Sequence, residues 1–256
     1  MVNAFPEART AVITGAASPK GIGRATARRF ASGGWSLALL DLDGEGAAAL
    51  AAELSAEFGV SAAGISVDIA DEASVDAAVA RAETELPAAV ALVNAAGVAD
   101  PTPYEELTLQ RWQRTMTVNA TGTFLVTRRV AAGMLERGLG RITSISSTAA
   151  QNGGGNYSKA AYAASKAAIE GMSRSWALEF APRGVTVNAI APATIDTEIM
   201  GGALTPDRLP DFLGRLPIGR VGEVVEVAEL LYYLSGEYAG YITGATLNIN
   251  GGARIG

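Results

Sequence analysis

Histidine and cysteine are both missing from this 256-residue chain. Their absence removes disulfides, thiol nucleophiles, imidazole bases and the usual zinc ligands, so any acid/base chemistry falls to Tyr, Lys, Asp or Glu. Blocks of basic residues are missing too. With 20 Lys+Arg against 26 Asp+Glu and a net charge of -6, the chain has no electrostatic footprint for nucleic acid or an anionic membrane. No run reaches the roughly 18 apolar residues that a membrane span needs. The start, Met1 to Glu7, lacks a basic segment followed by an apolar core, so a cytoplasmic protein is expected. Charged residues make up only 18% and hydrophobic ones 49%, which excludes a disordered chain and allows one large core.

What the chain does have is alternation. Short aliphatic runs predict strands at 10–14, 36–41, 64–67, 90–94, 141–146, 185–190 and 246–249. Ala-rich stretches of helical spacing between them predict helices near 22–33, 44–58, 72–86, 105–137, 157–181 and 224–236. This order implies an α/β fold, a doubly wound, Rossmann-type and mostly parallel seven-stranded sheet with helices on both faces. The strands are nearly all apolar, as burial on both faces requires. No linker, repeat or low-complexity tract divides the chain, so residues 1–256 are read as one domain.

Tyr162 and Lys166 stand four residues apart in Ala-Tyr-Ala-Ala-Ser-Lys, a spacing that puts a phenol and an ammonium on one helix face. A cation about 4 Å from a phenol would lower its pKa from about 10 toward about 7, making the pair a proton-transfer device. A surface Tyr and Lys on an Ala-rich helix is the plainer alternative. Upstream, the first strand runs into Gly15, Lys20, Gly21, Ile22 and Gly23 before a helix. Such a turn lets backbone amides approach a pyrophosphate. Asp41 ends the second strand 18 residues after Gly23, where a carboxylate accepts from both adenine-ribose hydroxyls and repels a 2′-phosphate, favouring NAD over NADP. Asp43 competes for that contact, and Lys20 could attract the phosphate instead.

Together these residues resemble the short-chain dehydrogenase/reductase family, in its single-domain branch of about 250 residues. The resemblance implies adenine contacts at Asp68 and Ile69, and a largely structural Asn94 leading the motif Asn94-Ala95-Ala96-Gly97 beside the cofactor. It further implies a water-holding Asn119, a catalytic trio of Ser147, Tyr162 and Lys166, and nicotinamide contacts from Pro192, Ile195 and Thr197. Three departures stand out. Gly15 and Gly21 are separated by two more residues than usual, Ala193 replaces a Gly, and Ser147 lies 15 residues before Tyr162, two more than usual. Ser144 and Ser146 therefore remain rivals to Ser147.

The implied chemistry is reversible hydride transfer between NAD(H) and a small to medium ketone or secondary alcohol, with Tyr162 as general acid/base. Gln151, Asn156 and Tyr157 are candidates for the substrate side, and a lid is expected over about 194–216. Alternatives are an NADPH-dependent reductase of 3-oxoacyl groups on a carrier, a non-catalytic NAD sensor and a nucleotide-sugar epimerase or dehydratase. A homotetramer is expected from resemblance alone.

Overall fold

The structure, a computed structural model, describes residues 5–155, 158–200, 205, 207 and 209–255. Seven strands form one parallel sheet: β1 (Thr10–Thr14), β2 (Ser36–Asp41), β3 (Ala62–Ser66), β4 (Ala89–Asn94), β5 (Gly140–Ile145), β6 (Val185–Pro192) and β7 (Thr246–Ile249). Their order is β3-β2-β1-β4-β5-β6-β7. The chain leaves β1 for β2 on one side and later returns to β4 on the other, so a crevice opens at the carboxyl ends where the order reverses.

Period-two alternation feeds two cores. Ile13 of β1 and Leu39 of β2 pack with Phe30 of α1 (Ile22–Ser32), Leu50 of α2 (Gly44–Phe58) and Leu231 of an α-helix at Val224–Leu234. Their strand neighbours Val12 and Leu40 pack on the other face with Val75 of α3 (Glu72–Glu85) and with Val126 and Ala177 of two long helices. Each side chain therefore leaves water on the face that its parity assigns. Among the described residues no helix is long and apolar enough to cross a membrane.

Helix starts follow side-chain chemistry. Asp43 accepts the Gly46 N–H at the start of α2, and Asp71 accepts those of Ala73 and Ser74 at the start of α3. By contrast, α1 follows Gly21 with no side-chain cap, so its first-turn amides remain available to an anionic ligand.

The single helix expected at 105–137 is divided. A 3₁₀ turn at Tyr104–Glu106 precedes α4 (Leu109–Met116), which starts where Thr108 accepts the Arg111 N–H. A π-helical segment, Thr117–Thr121, then leads into α5 (Gly122–Arg137). Two short helices, α6 (Ala149–Asn152) and α8 (Leu209–Leu213), escaped the periodicity because neither spans enough residues to repeat an apolar position over several turns. The long helix α7 (Ala160–Phe180) carries Tyr162 and Lys166, and α9 is Val224–Leu234.

Candidate active site

A cavity of about 1100 Å³ lies at the carboxyl ends of the strands, lined by the glycine turn, the end of β2 and the segments after β4, β5 and β6. That exceeds the roughly 300–1,000 Å³ of ordinary small-molecule pockets and leaves room for a dinucleotide together with a substrate.

The glycine turn is closed in by backbone. A Cβ on Gly23 would lie 2.2 Å from the Gly15 carbonyl oxygen, and one on Gly15, whose φ is 70°, would lie 2.7 Å from Ala96 Cα. Only glycine permits this approach. The two additional residues are absorbed in a tight turn in which the Gly21 N–H donates to Ser18 O, leaving Lys20 exposed and off the cavity wall. Lys20 is therefore removed from the cofactor candidates. Ser18 Oγ instead donates to Glu198 Oε2 at 2.5 Å, joining the turn to the start of the expected lid.

Asp41 lines the cavity while accepting the N–H groups of Ala17 at 2.9 Å and Asp43 at 3.0 Å. Its orientation is thereby fixed. Asp43 also lines the cavity, but its carboxylate is engaged as the α2 cap. Ile22, Asp68, Ile69, Ala95 and Gly97 lie on the wall. Asn94 does not: its buried amide donates to Thr127 Oγ1 and Ser144 Oγ, bridging β4, α5 and β5. Its side chain is an internal brace, in keeping with the largely structural role implied by the resemblance, and Asn94 is removed from the cofactor-contact candidates.

The three candidate serines are separated by their partners. Ser144 accepts from Asn94, and Ser146 Oγ lies 3.1 Å from the Lys166 carbonyl and 3.0 Å from Glu170 Oε1, the two acceptors for its single O–H. Ser147, just beyond β5, lines the cavity and hydrogen-bonds the Tyr162 phenol. The Lys166 ammonium lies 5.7 Å from the Tyr162 ring centre and donates to Ile145 O at 2.7 Å. Asn119, in the π segment, is fully buried. Its Oδ1 accepts from Val98 N–H, and its amide donates to Val98 O and Ser165 Oγ. Both amide hydrogens are spent, leaving one Oδ1 lone pair for a water.

The expected acidification of the phenol is not found. Burial pushes Tyr162 above its ordinary value, with the Ser147 hydrogen bond opposing the rise. The lysine is turned to the β5 carbonyl, and desolvation of a phenolate outweighs what it offers from there. Burial also pushes Lys166 down to about 8. Between about 8 and its unfolded value of about 10.4, the native state binds fewer protons at this site than the unfolded chain. Stability from this group therefore rises with pH through that window, and the burial penalty, of order 3 kcal/mol, is fully present below it. Lys166→Met removes the penalty. Its melting temperature relative to the native protein is expected to be higher at pH 7 than at pH 10, and a pH-independent difference in paired thermal melts would refute this.

Gln151 is corrected as well. It lies off the cavity wall, donating to Glu170 Oε1 at 3.3 Å and accepting from Arg254 Nη1 at 2.7 Å. Asn156 and Tyr157 lie outside the described residues. Glu170 and Arg254 went unnoticed in the sequence, although Glu170 continues the series Tyr162, Lys166, Glu170 at four-residue steps. Pro192, Ile195 and Thr197 line the cavity. Ala193 is accommodated because no described non-glycine residue has positive φ. From the lid, Ile199, Phe212, Arg215 and Leu216 reach the wall; residues 201–204, 206 and 208 lie outside the described ones.

Comparison with known proteins adds an independent line. A family model described as enoyl-(acyl carrier protein) reductase matches residues 15–254. The D-threitol dehydrogenase of Mycolicibacterium smegmatis is 40% identical over 249 residues, covering 97% of this chain and 94% of that protein. The 3-oxoacyl-(acyl-carrier-protein) reductase of Aquifex aeolicus is 35% identical over 246 residues, covering 96% of this chain and 97% of that one. Among solved structures, the 3-ketoacyl-(acyl-carrier-protein) reductase of Brucella melitensis complexed with NADH superposes with a TM-score of 0.87 at 32% identity, covering 96% of this chain and 98% of that one.

Proposed function

Because this chain belongs to the short-chain dehydrogenase/reductase family, we propose that it binds NAD(H) and interconverts small to medium ketones and secondary alcohols. The observation that carries this reading is the convergence of Ser147, Tyr162 and Lys166 on a crevice whose glycine turn only backbone can fill. The bound cofactor would supply or take up the hydride.

In the reductive direction Tyr162 protonates the carbonyl oxygen as the carbon gains the hydride, and the alcohol forms. Ser147 donates a hydrogen bond to the same oxygen, stabilising charge that develops there. Tyr162 then regains its proton through Lys166, whose pKa near 8 suits it to exchange protons at neutral pH and whose ammonium would also hold the ribose of a bound nicotinamide cofactor. A water on the remaining Oδ1 lone pair of Asn119 would connect Lys166 to solvent. A raised phenol pKa fits the reductive direction well, since the acid must be protonated.

Asp41 supports NAD through its fixed carboxylate at the β2 end. A second reading, NADPH-dependent reduction of 3-oxoacyl groups on a carrier protein, draws on the names of the Aquifex and Brucella relatives. A tetramer is supported by exposed Leu109, Trp112, Phe124 and Leu178 on α4, α5 and α7.

Absorbance at about 340 nm, followed with NAD or NADP against a panel of ketones and alcohols, tests the reading. NAD-linked turnover is expected, and Asp41→Ser is expected to shift the NAD/NADP ratio of kcat/KM toward NADP by roughly 10- to 100-fold, the worth of hydrogen bonds to a charged group. An unchanged ratio would remove Asp41 from ribose recognition. Absence of turnover with either cofactor would favour a sensor.

A further inference from the structure

Arg215 follows α8 in the lid and lines the crevice beside Asp211, Phe212 and Leu216. Its guanidinium reaches the loop that joins Ser147 to Tyr162: a Cβ placed on Gly155 would lie 2.8 Å from Arg215 Nη1. Asn152, Gly154, Gly155 and Ser158 of that loop also face the cavity. The missing side chain at Gly155 is what lets the guanidinium lie there.

Several arginines elsewhere in this acidic chain are paired with carboxylates, although among the described residues Arg114, on the same crevice wall, forms no ion pair. Arg24, Arg28, Arg29, Arg128, Arg129 and Arg220 all sit within ion-pair distance of a carboxylate. The Arg215 backbone N–H donates to Phe212 O, but among the described residues its guanidinium has no hydrogen bond or ion pair. Asp211 precedes it by four residues and lines the same crevice, yet the two are not paired. Five fixed N–H donors thus face the cavity with no acceptor engaged among the described residues.

Position assigns this cation to the substrate. Asp41 ends β2, and the Ser147 segment follows β5, three strand spacings along the sheet, or roughly 14 Å. Arg215 is beside the second, away from the adenosine end. We propose that Arg215 selects substrates bearing a carboxylate remote from the reacting carbon, held by the planar guanidinium in a two-bond fork. The ketone half of this substrate rests on the oxidoreductase reading above; the anion contact does not.

The test uses 4-oxopentanoate and 5-oxohexanoate against their methyl esters. Initial rates are measured with NADH, and binding is measured separately by calorimetry on protein saturated with NADH. The native protein is expected to favour at least one acid over its ester by at least about tenfold in kcat/KM and in affinity, as loss of a charge-assisted bond implies. Arg215→Met should abolish that preference without changing the KM for NADH, and Arg215→Lys should keep part of it. Gly155→Ala, which displaces the guanidinium while keeping its charge, should also weaken it. Acids and esters bound equally, neither bound, or a preference that survives Arg215→Met would overturn the proposal. So would a preference that falls only with Arg114→Met, the change at the other arginine on the crevice wall. Arg215-dependent acid binding without hydride transfer would keep the anion site and remove the oxidoreductase reading. Turnover of acids and esters alike would do the reverse.

Discussion

Tyr162→Phe is expected to lower turnover by at least about 100-fold while leaving dinucleotide affinity within about threefold of native. The change deletes one oxygen. That oxygen hydrogen-bonds Ser147 and belongs to the only phenol among the crevice-lining residues described. With no histidine in the chain, another proton donor of suitable reach is hard to supply. Lys166 comes nearest, but its Nζ is directed at Ile145 O. The aromatic ring remains and the glycine turn is untouched, so binding should persist. Steady-state rates at about 340 nm together with NADH fluorescence titration separate the two effects. Turnover near the native value would exclude Tyr162 as the acid.

The second large effect is expected at Gly23. Its substitution by Ala places a methyl 2.2 Å from the Gly15 carbonyl oxygen, and neither atom belongs to a flexible side chain. Gly15 cannot retreat, because its far side meets the backbone of Ala95 and Ala96. The β1–α1 turn must therefore open. Overpacking of this kind costs about 3 kcal/mol, near the upper end of its usual range, which is a fall in melting temperature on the order of 10 °C for a domain of this size. Dinucleotide affinity should fall by about 100-fold or more, as expected when binding groups move by about 1 Å. Gly21→Ala is the comparison: its nearest neighbours are Ser18 atoms at 3.0 to 3.2 Å, and a milder loss is expected. Thermal melts and NADH titration of both variants check the order, and equal behaviour would contradict the pinch at Gly23.

The sheet was legible because burial on both faces leaves strands such as Ser36–Asp41 and Val185–Pro192 almost free of polar interruption. The glycine turn and the Tyr162–Lys166 step were legible for a related reason: close backbone approach and helical periodicity are local properties that residue order records. Partnership is not local. Ser144, Ser146 and Ser147 look alike in sequence, and they differ in the structure because Asn94 and Glu170 engage the first two. Gln151 looked available until Arg254, 103 positions away, met it. The phenol's pKa went in the other direction from expectation because spacing along a helix says nothing about where Nζ points or how much water a hydroxyl loses. Arg215 left no trace at all, since a single cation in a loop has neither period nor motif.

The π turn at Thr117–Thr121 separates two stretches with different neighbours, α4 beside α7 and α5 beside β4 and α3. A wide turn inserts one surplus residue, and each residue of an α-helix advances the azimuth by about 100°. Excising any one of these five would let the rod relax to uniform pitch and would swing α4 by about that angle against α7. The surplus residue therefore works as a phase adjuster, letting two amphipathic segments of unlike orientation share a single axis with Asn119 at the joint.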